Sequence, residues 1–525
     1  MQTRLHKKSI LKKTVQVGSS LLLSKFLGIA REVLQVKYLG VGALSDAFNI
    51  AFKIPNVLRK IFAEGALSAA FVPTLIKIMR NENEDEASRL LTLTYMVIGS
   101  VIVLLCFIVL FFPHLVILLF APGFMHKTVE LVTAINLIRI LIFFILFIFS
   151  GALLAGAMQA KHHFTVPSWG PALLNVVYIG GLIIAIKYGL PVEYFAYFLL
   201  FGALLQLLVY LVVYLKLNFR FLWPDAIAWK YFKEVMVKFF PALVSVSAVE
   251  INLLIDARFA SDLPAGSVTL LNLSSRFMTI ALGAFAVAFS SILLPHFSRI
   301  TTYAPKRLSF YLLESAKLIL WVTAPVMLLM GFFSYDIFYT IFYKLAGNFS
   351  LEQVQEAGLL LQAFLLGLFF FSLNKVVLSI YYSMHETLVP TFITFAGALT
   401  NFALNRLLVP YLGALGIAIA TPLAAIVQSI LFILVLRYKF NFALYINNFL
   451  MFVARYIGQL LAISVPFYII YKVLVKFIEL IAPPYTEFLL RGIGLWLWIG
   501  PLSLLFFGVL YMFRKHFRIN LHFLG

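Results

Sequence analysis

Apolar runs of about 20 residues recur along this 525-residue chain, and about 20 is the number of residues a helix needs to cross a hydrocarbon core. Inside a bilayer the backbone finds no water to bond, so only helices or a closed barrel can span it. The runs lack period-two alternation, which argues against a barrel. The sequence therefore predicts an all-α, polytopic integral membrane protein. Composition agrees: 63% of residues are hydrophobic, 12% are charged and the mean hydropathy is +1.00, outside the range of soluble domains.

Spans are expected near residues 14–37, 45–79, 91–117, 128–158, 164–187, 193–216, 234–261, 266–297, 309–334, 353–383, 389–409, 412–437, 448–475 and 486–513, about 14 transmembrane helices. The connections are short and rich in Gly and Pro, such as Ala121-Pro122-Gly123 and Ala482-Pro483-Pro484, and none holds a soluble domain. The basic start lacks a small-residue cleavage site and reads as a retained first helix. Cys106 is the only cysteine, so intramolecular disulfides and multi-thiolate metal sites are excluded.

Charge sets the expected orientation, because short loops rich in Lys and Arg stay cytoplasmic. Arg4, Lys7, Lys8, Lys12 and Lys13 open the chain, and Arg514, Lys515 and Arg518 close it. An even number of crossings puts both termini inside, together with the basic connections at 77–89, 216–233, 299–307 and 437–439. Topology and anionic headgroups thus account for much of the net charge of +20, and nucleic acid has no role in the account.

An internal repeat is visible at about 222 to 223 residues: Ser68 to Pro73 recurs as Ser290 to Pro295, and Ala160 to Pro167 as Ser383 to Pro390, with His162 matching His385. The offset spans six helices, so the copies share one orientation, as in some secondary transporters. The expected organisation is an N-lobe over 1–220, a C-lobe over 221–445 and a C-terminal helix pair over 446–525, with a cleft between pseudo-symmetric six-helix lobes.

Ionisable residues inside spans are costly, at about 2.5–3.5 kcal/mol near the bilayer centre, and are functional candidates by default. The first lobe concentrates them: Lys25, Arg31, Glu32, Asp46, Lys53, Arg59, Lys60 and Glu64. Asp46, Asn49, Lys53, Asn56 and Lys60 recur at three- and four-residue steps, giving the second helix one polar face, with Pro55 and Gly65 expected to bend it. Arg59 and Lys60 lie about 100° apart and cannot both point straight into one cleft. Gly28 is expected to admit a close neighbour. Asp46 is expected to order the cavity by pairing with Arg31 or another cation. In the second lobe Arg276 opens an apolar run, with Glu250 or Asp256 as its alternative, structural partner; its guanidinium suits phosphate or carboxylate. Asn401, Asn405 and Thr421 with Asp256 form a candidate oxygen-rich cation site, or else packing hydrogen bonds.

The runs Lys25-Phe-Leu-Gly-Ile-Ala-Arg31-Glu32, Ser45-Asp46-Ala-Phe48 and Phe52-Lys53-Ile-Pro55-Asn56-Val-Leu-Arg59-Lys60-Ile-Phe62-Ala-Glu64-Gly65-Ala66-Leu-Ser68-Ala-Ala-Phe71-Val-Pro73 resemble the signature of the MurJ (MviN) lipid II flippases. Ala121-Pro122-Gly123-Phe124, Arg276 and Leu294-Pro295 extend the resemblance. It implies the fold of the multidrug/oligosaccharidyl-lipid/polysaccharide exporter superfamily, with the final helix pair forming a groove for a lipid tail. It also implies flipping of undecaprenyl-pyrophosphate-linked peptidoglycan precursor by alternating access across the bacterial inner membrane, for cell-wall biogenesis. Lys25, Arg31, Asp46, Lys53, Arg59, Glu64 and Arg276 become the expected substrate-binding set, and lipid II and membrane lipids the expected partners of a monomer. Lys25 stands where many members have Arg, and Glu32 where many have Asp. Asp256, Asn401, Asn405 and Thr421 match a family sodium site in which Asn405 replaces a carboxylate, leaving sodium or proton coupling open.

Two alternatives make distinct demands. A related exporter of drugs or other polyprenyl-linked oligosaccharides would suit an apolar first lobe with one lone acid. A membrane enzyme on polyprenyl phosphates would show a large polar loop with paired carboxylates or a catalytic His. Leu217 to Lys233 carries one acid, Asp225, and no His, so no enzymatic activity is expected.

Overall fold

The computed structural model describes residues 27–524, and among them every regular element is helical. In chain order these are α1 (residues 27–39), α2 (Ala43–Arg59), a π turn (Lys60–Gly65), α3 (Ala66–Asn81), α4 (Glu84–Phe111), α5 (Pro113–Phe120), α6 (Thr128–Leu141), α7 (Phe143–Ala160), α8 (Thr165–Tyr188), α9 (Val192–Lys216) and α10 (Ala226–Ser261). Then come α11 (Ser267–Leu282), a second π turn (Gly283–Val287), α12 (Ala288–Tyr303), α13 (Leu308–Phe332), α14 (Ser334–Phe338), α15 (Leu351–Leu365), α16 (Leu368–Ser383), α17 (Leu388–Leu412), α18 (Ala414–Tyr438), α19 (Ile446–Ile481), α20 (Thr486–Arg491) and α21 (Gly494–Phe513).

Among the described residues ten spans are long and apolar enough to cross a membrane, with α6 and α7 together counting as one, or twelve if the bent pairs α11/α12 and α15/α16 each count as one span. The two expected crossings that remain are the charge-bearing ones: the first, expected at 14–37, whose residues 14–26 lie outside the described residues and whose remainder falls in α1, and the rod made of α2, the π turn and α3. Boundaries differ from expectation where punctuation intervenes. The third span ends at Phe111, because Pro113 starts the separate helix α5. The last begins at Gly494 and not at 486, because α20 stops at Gly492 in extended conformation. The break in the second span is the π turn Lys60–Gly65, while Pro55 sits inside continuous α2.

Polar caps mark several starts. Asn83 accepts from Glu86 N ahead of α4, whose first turn is Glu84-Asp85-Glu86, and Ser350 and Gln353 form a reciprocal capping box on α15.

The chain divides into two compact units, Met1–Thr269 and Leu270–Gly525. The repeat is written into their local geometry. His162 and His385 both take φ 58°, and Asn218 and Asn441 take 62° and 54°, positive values that few non-glycine residues adopt. Both π turns also fall at corresponding places. Within the first unit α7 packs on α9, α8 on α9 and α2 on α6, while α10 runs along α3 and α4. Within the second, α17 pairs with α18 and α12 with α16, around a core that includes Phe297, Ile319, Ile380, Tyr381 and Phe432.

Candidate functional site

In the first unit the polar side chains make separate sets of contacts, one joining α1 to α8, one joining α2 and the π turn to α10, and one joining α2 to the start of α11. Arg31, on α1, gives Nη2 to Glu32 Oε1 at 2.7 Å and Nη1 to Asn175 Oδ1 of α8 at 3.3 Å. Its guanidinium carbon lies 5.4 Å from the ring centroid of Tyr178, whose hydroxyl donates to Gln35 Oε1 at 3.4 Å. Arg31 Nε is buried with no acceptor, so one donor of the fork remains uncommitted. Asn175, Tyr178 and Gln35 escape a reading of charges alone, since neutral residues in an apolar span carry no such signal. Gly28, expected to face a close neighbour, has nothing within 4 Å of a Cβ built on it.

Asp46 does not pair with Arg31. It is 2% exposed and receives Gly266 N at 2.7 Å, Thr269 N at 2.8 Å and Thr269 Oγ1 at 2.6 Å. The carboxylate therefore caps the first turn of α11, where free backbone N–H groups and the helix dipole favour negative charge. A cap needs no cation, which is why charge pairing from sequence misassigned it. Asn49 Nδ2 and Ser45 Oγ each lie 3.0 Å from Thr269 Oγ1 and complete the cluster.

Asp46→Ala strands three buried donors, each worth about 1 kcal/mol or more. The unfolding transition in detergent should move down by about 2–3 kcal/mol, and Asp46→Asn, which keeps one acceptor, should fall between. An unmoved transition in the alanine variant would refute the capping role.

Further along the polar face, Lys53 Nζ donates to Leu253 O of α10 at 3.4 Å, and Lys60 Nζ meets both oxygens of Glu250 at 3.0 and 3.1 Å. Glu250, expected as an alternative partner of Arg276, thus belongs to Lys60. Arg59 turns the other way, giving Nε to Asn56 Oδ1 at 3.0 Å, as the helical period requires. Lys25 and the side chain of Glu64 lie outside the described residues.

In the second unit Arg276 is exposed on α11, 223 residues after Lys53, and Asn272 stands at the same repeat offset from Asn49. The cationic turn of α2 thus has a counterpart in sequence on α11. Asn401 and Asn405 are 0% exposed and one turn apart on α17, which packs on α18. Thr421 of α18 turns its hydroxyl back to Ile417 O at 3.1 Å. These three residues offer neutral oxygens only, while Asp256 lies in the first unit. A cavity of about 220 Å³ opens between α13, α19 and α21, lined by apolar and aromatic side chains including Phe332, Phe467, Tyr468, Tyr471 and Phe506.

Comparison with known proteins places the chain in a family. Residues 35–487 match a family model described as "Lipid II flippase MurJ". A probable lipid II flippase MurJ of Rhizobium tropici is 30% identical over 434 residues, covering 80% of each chain. One from Buchnera aphidicola subsp. Acyrthosiphon pisum is 28% identical over 435 residues, covering 81% of this chain and 83% of its own. Among solved structures, "Lipid II flippase MurJ, inward closed conformation" superimposes with a TM-score of 0.77 at 25% identity, over 96% of this chain and 99% of the other. An inward-facing multidrug resistance MATE family transporter of the MOP superfamily shares the fold, with a TM-score of 0.65 at 14% identity over 81% of this chain and 98% of its own.

Proposed function

This chain belongs to the MurJ family of lipid II flippases, and on that premise we propose that it carries lipid II from the inner to the outer leaflet of the cytoplasmic membrane by alternating access. The observation that carries the reading is the polar face Asp46 to Lys60, set on a rod within a bundle of apolar spans. A headgroup of pyrophosphate, sugars and peptide cannot cross hydrocarbon unaided. It needs a hydrated path lined with donors, and Arg31, Lys53, Arg59 and Arg276 are the side chains assigned to its phosphates. Asn175 and Tyr178 hold the Arg31 guanidinium beside Glu32, and Asp46 serves by fixing the first turn of α11.

No bond is made or broken in this scheme. The polyprenyl tail stays in lipid, and the apolar cavity between α13, α19 and α21 supports giving part of it to the final helices. The chain acts as a monomer with both termini cytoplasmic, an orientation resting on the Lys and Arg bias of the connections. A drug exporter of the same superfamily is disfavoured by the cationic first unit.

The test is a strain depleted of its own flippase. Expression of this chain should restore the fraction of lipid II reachable from the outer face, and persistent trapping of the precursor inside would overturn the reading.

Coupling follows from the donor set. Asp256 is the one acid in the set Asp256, Asn401, Asn405 and Thr421, where Asn405 stands in place of a second carboxylate, and hard cations are held by charged oxygens, so this set suits only a weak sodium site or leaves Asp256 to exchange a proton. Translocation should therefore follow pH or membrane potential more than sodium, the potential being worth about 2.3 kcal/mol per charge per 100 mV. Exchanging sodium for potassium at fixed potential should leave lipid II exposure unchanged. A loss on sodium removal that millimolar sodium reverses would refute this.

A further inference from the structure

The connection between α9 and α10 is firmly held yet turns its largest side chains outward. Lys161 Nζ donates to Leu217 O at 2.6 Å, Tyr214 Oη to Arg220 O at 3.0 Å and Arg89 Nη1 to Trp223 O at 2.6 Å, while Asp225 accepts from Ala228 N at 2.8 Å to cap α10. Phe219 in the same stretch is 1% exposed, which shows that burial is available to a neighbouring aromatic. Phe221, Trp223 and Trp229 are nevertheless 53%, 78% and 47% exposed.

The cations at this end of the first unit fall into two groups. Lys77 and Lys238 share Glu234, Lys161 pairs with Glu84, and Arg89 lies between Glu86 and Asp225. Those acids are committed. Arg220, Lys230 and Lys233 are exposed, and among the described residues none has an acidic side chain within ion-pair distance. On α10 the stripe Trp229, Lys230, Lys233, Val237 and Phe240 keeps to one exposed face and passes from cations to bare hydrocarbon.

Helix α10 has 36 residues, about 54 Å at 1.5 Å per residue, against a hydrocarbon core of about 30 Å. Its first turns must leave the core, and the Trp and Lys residues sit where the stripe does so. Amphipathic rings favour the headgroup level, and basic side chains near a membrane attract anionic lipid.

We propose that Arg220, Lys230 and Lys233, framed by Trp223 and Trp229, form a binding site for the phosphate headgroups of anionic phospholipids in the adjoining leaflet, with Val237 and Phe240 against the acyl chains. The chemistry recognised is lipid-borne phosphate, which the pyrophosphate of a polyprenyl substrate also carries. The patch lies on the outer face of one end of the unit, away from the polar face of α2, and a phospholipid present in excess is the occupant assigned.

The test uses the full-length protein in bilayers of phosphatidylcholine with part replaced by phosphatidylglycerol. Tryptophan quenching by brominated phosphatidylglycerol is compared with quenching by brominated phosphatidylcholine, and the share due to the two site rings is read against a Trp223→Phe/Trp229→Phe variant. A preference for phosphatidylglycerol of about threefold or more is expected, since each basic residue near the surface is worth about fivefold. It should vanish in Arg220→Gln/Lys230→Gln/Lys233→Gln, whose exposed positions leave the melting transition unmoved. Equal quenching by the two lipids in the wild type, or a preference that survives in the triple variant, would overturn the proposal. Adding a polyprenyl pyrophosphate at low mole fraction should change nothing; reversal of the phosphatidylglycerol effect would assign the patch to substrate and refute the phospholipid assignment.

Discussion

Arg276→Ala should abolish lipid II translocation while the protein accumulates in the membrane at the wild-type level. An arginine within a membrane span costs about 2.5–3.5 kcal/mol on insertion scales, so its removal makes insertion easier. Any loss of activity is then a loss of what the guanidinium does. Arg276 is exposed on α11, one turn after Asn272, in the repeat position of Lys53. Its five donors in a fixed fork match two oxygens of a phosphate, which an ammonium cannot do, so Arg276→Lys should retain charge attraction and recover only part of the activity. The measurement is complementation of a depleted strain, with membrane abundance followed by immunoblot. Full complementation by the alanine variant at normal abundance would remove Arg276 from the substrate path.

How far the sequence could be read depended on the kind of signal. Spans were legible because each one must carry its own apolar length; their starts were less so, since α4 begins at Glu84 and α10 at Ala226, ahead of the expected 91 and 234, where capped, charge-bearing first turns extend the helix beyond its apolar run. The repeat was legible in the short match around His162 and His385, and the structure supplies its physical reason: both residues close a helix with positive φ. Arg59 and Lys60 were expected to diverge and do, because the helical period alone decides it. The partners were less legible. Asp46 reads in sequence as an acid awaiting a cation, but its partners are the backbone N–H groups of Gly266 and Thr269 and a hydroxyl, none of which sequence spacing across more than 200 residues displays. Tyr178 and Asn175 were invisible for a related reason: they matter through contact with Arg31, and a single Tyr or Asn in an apolar helix is most often packing.

Gly123→Ala should be a strongly disruptive single-methyl change in the first unit. Gly123 belongs to the Ala121-Pro122-Gly123-Phe124 turn, a short 3-10 segment that seats on the end of α10. A Cβ there would lie 2.4 Å from the carbonyl carbon and oxygen of Ser261 and 2.5 Å from Asp262 N. These are backbone atoms, so no rotamer change relieves the clash, and the whole turn must lift. Lifting it breaks the bond from Gly123 N to Ser261 Oγ at 3.1 Å. It also draws Lys127 Nζ away from Ser261 O, at 2.9 Å, and from Leu263 O, where the ammonium neutralises the carbonyl end of α10. Overpacking a well-fitted site costs about 1–3 kcal/mol, and the three lost bonds add about 1 kcal/mol each, enough to remove a large part of an ordinary folding free energy. Gly180, with nothing within 4 Å of its Cβ position, provides the control. Gly180→Ala should melt like the wild type, while Gly123→Ala should unfold far earlier in detergent and reach the membrane at reduced abundance. Equal melting of the two variants would mean that the turn can move off α10 at little cost, and that glycine at 123 serves something other than this contact.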